Sequence, residues 1–231
     1  MQLEDLGLWR DIASALSKSL FITIEVTVLA SLVALCVAFV AGTAQLAPWR
    51  PVRWLARVYI ETFRGTSALV QLFVMFYVLP LLGLRLSPLM VGVVGLGLNL
   101  GAYGSQVVRA GIVAIDRGQR DAAVALGLTG WQTLRRIVLP QAIPLMLPPF
   151  GNELIEMLKA TSLVSLIALT DLTFAGNLFV EQRGHALDVY TALLFTYFIL
   201  ALPLRSLTRH LERRTRLIAG GLSDLATERP I

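Results

Sequence analysis

The side chains in this sequence that could do chemistry are few, and their spacing speaks against it. Its two histidines, His185 and His210, lie too far apart in sequence for a recognisable metal-ligand spacing. The single cysteine, Cys36, sits inside an apolar run and reads as a packing group, with no intramolecular partner for a disulfide. A phosphate-cradling loop wants Gly, four residues, then Gly-Lys-Ser/Thr. The lysines are Lys18 and Lys159, and neither follows a glycine. No serine occupies a Gly-x-Ser-x-Gly elbow. The reading predicts no catalytic residue, no metal site and no cofactor on this chain; it is not expected to be an enzyme.

The polar groups that remain are embedded in apolar sequence, and that sets what must position them. The 231 residues are 56% hydrophobic and 15% charged, with mean hydropathy +0.71. A soluble domain carries about a quarter charged residues. Here the charge is missing from long uninterrupted runs, which excludes disorder and points to lipid as the solvent. The net charge of +5 comes almost entirely from arginines near the ends of those runs. A positive-inside bias explains this better than nucleic acid, and no nucleic-acid partner is expected.

Five spans are predicted, at about 20–46, 59–84, 86–113, 149–170 and 186–204, giving an all-α polytopic membrane protein. The first, at 1.5 Å per residue, crosses a hydrocarbon core of about 30 Å and is too long for the apolar run of a signal peptide. The third holds Gly92, Gly95, Gly97, Gly101 and Gly104, small residues that let helices approach closely in lipid. The fourth contains Glu153, Glu156 and Lys159. Their spacing of three puts them along one face, which is expected to turn into the bundle.

Arginines alternate from loop to loop. Arg50, Arg53 and Arg57 follow the first span, and Arg117, Arg120, Arg135 and Arg136 follow the third. Arg205, Arg209, Arg213, Arg214 and Arg216 follow the fifth. Of the other segments, 1–18 is acid-balanced, the second-to-third turn has only Arg85, and 171–188 mixes acids with Arg183. The expected arrangement is an extracytoplasmic segment 1–19, a transmembrane domain 20–206 and a cytoplasmic tail 207–231, with the N-terminus outside and the C-terminus inside.

Residues 116–143 are too many for a turn and too polar to cross the membrane. Asp121 stands near the start of a short predicted helix, where a carboxylate meets the positive end of the dipole. Gly127 ends that helix. Thr129 or Gly130 starts a second, with Trp131, Leu134, Ile137 and Val138 on its apolar side, and Pro140 is expected to stop it. Periodicity alone also allows helices lying at the lipid headgroups. Polar groups at membrane depth are candidates for solute contact: Glu61, Arg64, Gln71, Asn99, Gln106, Asn152, Glu153 and Glu156. Structural alternatives stand beside them. Glu61 can pair with Arg64, Glu156 with Lys159, and Asn99 can bond a neighbouring backbone.

The stretch Asp121-Ala122-Ala123, Gly127, Ile137, Leu139-Pro140 resembles the Glu-Ala-Ala loop of type I ATP-binding-cassette importer permeases at every spacing, with aspartate for glutamate. Glu61-Thr62-Phe63-Arg64-Gly65-Thr66, Pro149-Phe150-Gly151-Asn152-Glu153 and Lys159-Ala160-Thr161-Ser162-Leu163 are similar to its polar amino acid uptake branch. The run from Gly101 to Gly111 is similar too, with Gln106 where the family usually has glutamate and Ala110 for glycine; this disfavours a strongly cationic solute. The resemblance implies that Arg120, Asp121, Ala122, Ala123, Leu126, Gly127 and Leu128 form a helix received by a cytoplasmic ATPase dimer, which binds ATP and Mg. It also implies a second permease subunit, the same or homologous, an extracytoplasmic solute-binding protein, and a place in the bacterial inner membrane. A zwitterionic compatible solute such as ectoine is the alternative cargo. An ion-coupled secondary transporter and an assembly subunit without a pathway are the alternatives of other classes.

Overall fold

The computed structural model describes the backbone of residues 2–227 and the side chains of residues 7–212. The side chains of Arg213, Arg214 and Arg216, and residues 228–231 of the predicted tail, lie outside the described residues.

Among the described residues every regular element is helical. Helix α1 runs Gln2–Ala44 without a break, so residues 2–19 of the predicted extracytoplasmic segment share one helix with the first predicted span. At 1.5 Å per residue it is about 65 Å long, twice a hydrocarbon core. Charges near its start do not end a helix. That end packs Ile12 and Leu16 against Leu172, Phe179, Val189 and Leu193, and Asp11 pairs with Arg183.

The second predicted span is two helices. Helix α2 (Arg50–Gly65) is strongly amphipathic, and α3 (Ala68–Phe73) continues through a π-helical turn, Val74–Val78, and a 3-10 turn, Leu79–Leu82. The two axes bend by 104° at Thr66 and Ser67, both extended. Helix α4 (Pro88–Val113) starts on the Ser87 side chain, which accepts from the Met90 N–H.

Helices α1 and α4 form the central contact, and the glycines permit it. A Cβ at Gly97 would meet Val33 at 2.6 Å, and one at Gly101 would meet Val37 at 2.9 Å. From α1, a Cβ at Gly42 would meet Val108 at 2.7 Å. Dispersion over this close approach replaces the hydrophobic drive that lipid does not supply.

Helix α5 (Arg117–Ala125) and the short α6 (Gly130–Thr133) follow. A π turn, Leu134–Val138, leads directly into α7 (Leu139–Ala160), which ends in a 3-10 turn, Thr161–Ile167. Pro140 therefore does not stop the helix; it sits in the first turn of α7. Both π turns end two residues before a proline, Pro80 and Pro140. A change of hydrogen-bond register there accommodates the missing N–H and the ring. The helix that carries the fourth predicted span thus begins well before residue 149.

Helix α8 (Leu172–Arg183) bends 49° from the preceding pair. It is capped by the buried Asp171, whose carboxylate accepts from Phe174 N–H at 2.9 Å and Thr173 N–H at 3.2 Å. Helix α9 (Ala186–Thr227) runs through Pro203 and past the predicted end at 204. Among the described residues three helices are long and apolar enough to cross a membrane, and the count reaches five if each bent pair is one span.

Candidate functional site

The segment between α4 and α7 folds as a knob. Helix α5 closes by Leu126 N–H to Ala122 O and Leu128 N–H to Ala123 O, at 3.1 and 3.0 Å. Gly127 follows at φ +74°, the left-handed conformation that glycine adopts without a Cβ penalty. Thr129 then caps α6 in a reciprocal box with Gln132: each backbone N–H donates to the other's side chain, at 2.9 and 3.3 Å. The Arg120 guanidinium donates to Ile112 O, fastening α5 to the end of α4.

One side of the knob is anchored and the other is bare. Ala123 is fully buried, and Val138 and Ile115 behind it belong to the cluster around Val108, Ala142 and Met146. Asp121, Ala122 and Gly127 are exposed, Val124 is 70% exposed and Leu126 78%. Trp131 is 66% exposed, so it does not join the apolar side on which Leu134 and Ile137 are partly covered. The knob leaves large apolar side chains uncovered beside a carboxylate.

The polar candidates separate into four groups. Gln71 and Asn99 meet at the bend between α2 and α3. Asn99 Nδ2 donates to Phe63 O and to Gln71 Oε1, both at 3.0 Å. Gln71 Nε2 donates to Phe63 O at 3.0 Å and Thr66 Oγ1 at 2.6 Å. Tyr59 and Tyr103 donate to Leu98 O and Arg64 O at 2.6 and 3.4 Å. The bonds to Phe63 O and Arg64 O satisfy carbonyls in the last turn of α2, which the end of the helix leaves without an intrahelical partner. Asn99 therefore takes its structural alternative.

Glu156 pairs with Lys159 at 2.8 Å, each side chain 60% exposed. Both side chains are open on the surface of the single chain, whereas Glu153 is partly covered. At 3.6 residues per turn a spacing of three drifts about 60° per step, so Lys159 lies about 120° from Glu153. Glu153 is only partly exposed, and Asn152 beside it is exposed.

Glu153 lines a cavity of about 380 Å³ between α1, α4, α7 and α9, whose other walls are mostly apolar, among them Phe39, Met146, Phe150 and Met157. Its carboxylate lies against Gly104, where an added Cβ would meet Oε2 at 2.8 Å. Among the described residues it has no hydrogen-bond or ion-pair partner. Ser31 Oγ in the same wall is buried without a partner as well. Neither Ser31 nor this enclosure carries a signal in sequence, because four helices build it.

Glu61, Arg64 and Gln106 gather in a separate cavity of about 270 Å³ with Gln45, Arg53, Arg57 and Arg109. Glu61 and Arg64 do not pair. Arg64 stands over the Tyr103 ring, 5.1 Å from its centroid. Among the described residues no group of three or more His, Cys, Asp or Glu could hold a metal ion.

Residues 30–217 match the family model described as binding-protein-dependent transport system inner membrane component. A Sinorhizobium fredii protein named "Probable amino-acid ABC transporter permease protein y4tF" is 43% identical over 88% of each chain. The L-cystine transport system permease protein TcyB of Bacillus subtilis is 36% identical over 86% of each. A crystal structure of an amino acid ABC transporter with histidines superposes with TM-score 0.83 at 32% identity, covering 90% of this chain and 97% of that one.

Proposed function

Because the chain belongs to the family of binding-protein-dependent transport system inner membrane components, we propose that it carries an amino acid inward by alternating access driven from a separate ATPase. It is a permease subunit of an ATP-binding-cassette importer, and its helices have the fold of such permeases. The observation that carries the coupling is the knob: Val124 and Leu126 exposed at the end of the short helix α5, held from behind by Ala123 and Arg120. Exposed apolar groups next to a charge suit a groove on another protein better than water. ATP and Mg belong on that partner, since this chain has no phosphate-cradling loop. Closure of an ATPase pair would move the knob, and rigid α4 and α7 would pass the displacement into the bundle.

The same reading takes a second permease copy or a sister chain, an extracytoplasmic solute-binding protein, and the N-terminus outside with the C-terminus in the cytoplasm. For the solute, Glu153 and Asn152 are the contacts we favour. Glu153 is a carboxylate without a protein partner facing an apolar enclosure, suited to the ammonium of a zwitterion whose body is apolar. Gln71 and Asn99 are occupied by the bend, and Glu156 by Lys159.

Reconstitution with the ATPase and binding protein tests this. Leu126→Asp should leave the permease inserted, remove the ATPase from the purified complex and abolish uptake. Glu153→Gln should keep the ATPase bound and lower uptake. Uptake by liposomes without nucleotide would instead favour an ion-coupled carrier. Preference for ectoine over amino acids would move the cargo to compatible solutes.

A further inference from the structure

The cavity beside α2 has donors in excess of acceptors. Four guanidinium groups enter it, from Arg53, Arg57 and Arg64 on α2 and Arg109 on α4, against one carboxylate, Glu61. Arg53 is spent on the carbonyls of Ala47 and Pro48, at 2.8 and 2.9 Å. Among the described residues, Arg57 and Arg109 have no acceptor, and no ion pair joins Glu61 to any of the four. Gln45 contributes a buried Nε2 with no acceptor, its Oε1 being taken by Gln106 Nε2 at 3.2 Å. A group rich in acceptors and negative charge would satisfy all of these.

The surroundings say where such a group would come from. At 100° per residue, Arg53, Arg57 and Arg64 share a sector of about 40° on α2. Trp54 and Val58 follow it around one side of the helix and are 65% and 39% exposed; Trp49, just before the helix, is 73% exposed. Tryptophans of this kind settle at the headgroup level. The arginine-rich 50–57 stretch puts this level at the cytoplasmic leaflet. A positive-inside bias explains arginines along a loop, but not Arg109 entering the same cavity from α4.

We propose that this cavity holds the phosphate of an anionic phospholipid of the cytoplasmic leaflet. The guanidinium groups of Arg57 and Arg109 donate to its oxygens, Gln45 Nε2 adds a neutral donor, and the acyl chains lie along Trp54 and Val58. The assignment is independent of the cargo and of the ATPase.

Quenching of Trp49 and Trp54 by lipids with brominated chains tests it. The full chain with its partners, carrying Trp9→Phe and Trp131→Phe, is titrated with brominated phosphatidylglycerol or brominated phosphatidylcholine. The expected half-quenching mole fraction is about twenty-fivefold lower for phosphatidylglycerol, at about fivefold for each of the two arginines. Arg57→Gln with Arg109→Gln should erase that preference. Arg57→Lys with Arg109→Lys should retain most of it, which separates charge from loss of fold. Arg205→Gln, outside the cavity, should retain it fully. Equal quenching by the two lipids, or a preference that survives the double glutamine variant, overturns the proposal. Displacement by millimolar inorganic phosphate would assign the cavity to a soluble anion, and displacement by the transported solute would assign it to the transport route; either result removes the lipid.

Discussion

Substitution of Gly127 separates two reasons for a glycine in the knob. Its φ of +74° is left-handed, so an L side chain there costs about 1 to 2 kcal/mol, a five- to thirtyfold bias against the turn. A Cβ at the same position would meet nothing within 4 Å of this chain. Backbone strain and outside volume can therefore be varied one at a time. Gly127→Ala adds strain and little volume. Gly127→Asn adds volume with less strain, because asparagine tolerates this region. Gly127→Arg adds both, with a charge. If a partner approaches the turn closely, uptake and ATPase co-purification should fall in the order Ala, Asn, Arg, with Arg near zero. If strain alone matters, Asn should be the mildest. Uptake by reconstituted complexes and ATPase retained on the affinity column read the series, with membrane insertion checked for each variant. Full transport by both Gly127→Asn and Gly127→Arg would refute the reasoning, since neither could enter a close-fitting groove unnoticed.

Other perturbations follow from the packing. Gly101→Leu should force α1 and α4 apart at Val37 and lower the detergent unfolding midpoint by an amount equivalent to about 1 to 3 kcal/mol; an unchanged midpoint would contradict the close contact. Asp171→Ala removes the cap of α8 and the acceptor of Tyr197 Oη at 3.3 Å, a loss of about 1 to 2 kcal/mol by the same measurement. Asn99→Leu should loosen the bend at Thr66, detectable as faster amide exchange at 63–71, and Asn99→Asp should not restore the donor. Leu126→Cys in a Cys36→Ser chain should resist a membrane-impermeant maleimide in intact cells and react after permeabilisation.

What could be read from the sequence was what is local. The knob is defined by near neighbours: Asp121, the glycine six residues later and the Thr129–Gln132 box all act within a few residues of themselves. The spans were legible as lipid-soluble runs, but hydropathy is blind to direction. The 104° bend therefore passed unseen, although Gly65-Thr66-Ser67 interrupts the run and two amides, Gln71 and Asn99, stand ready to satisfy it. Pro140 misled because proline stops a helix interior yet suits a first turn, and the π turn before it has no distinctive residue pattern. Glu61 and Arg64 have the spacing of a pair, but Tyr103, about forty residues on, takes the arginine. The donor-rich cavity needed Gln45, Arg57, Gln106 and Arg109 together, and no sequence window holds all four.

Disulfide cross-linking between the knob and the ATPase bears most directly on the whole account. With Leu126→Cys and Cys36→Ser in the permease, and single cysteines scanned along the ATPase surface, mild oxidation should yield one strong cross-link whose efficiency changes when ATP is added. A permease that cross-links at no ATPase position, while the assembled complex still transports, would contradict it.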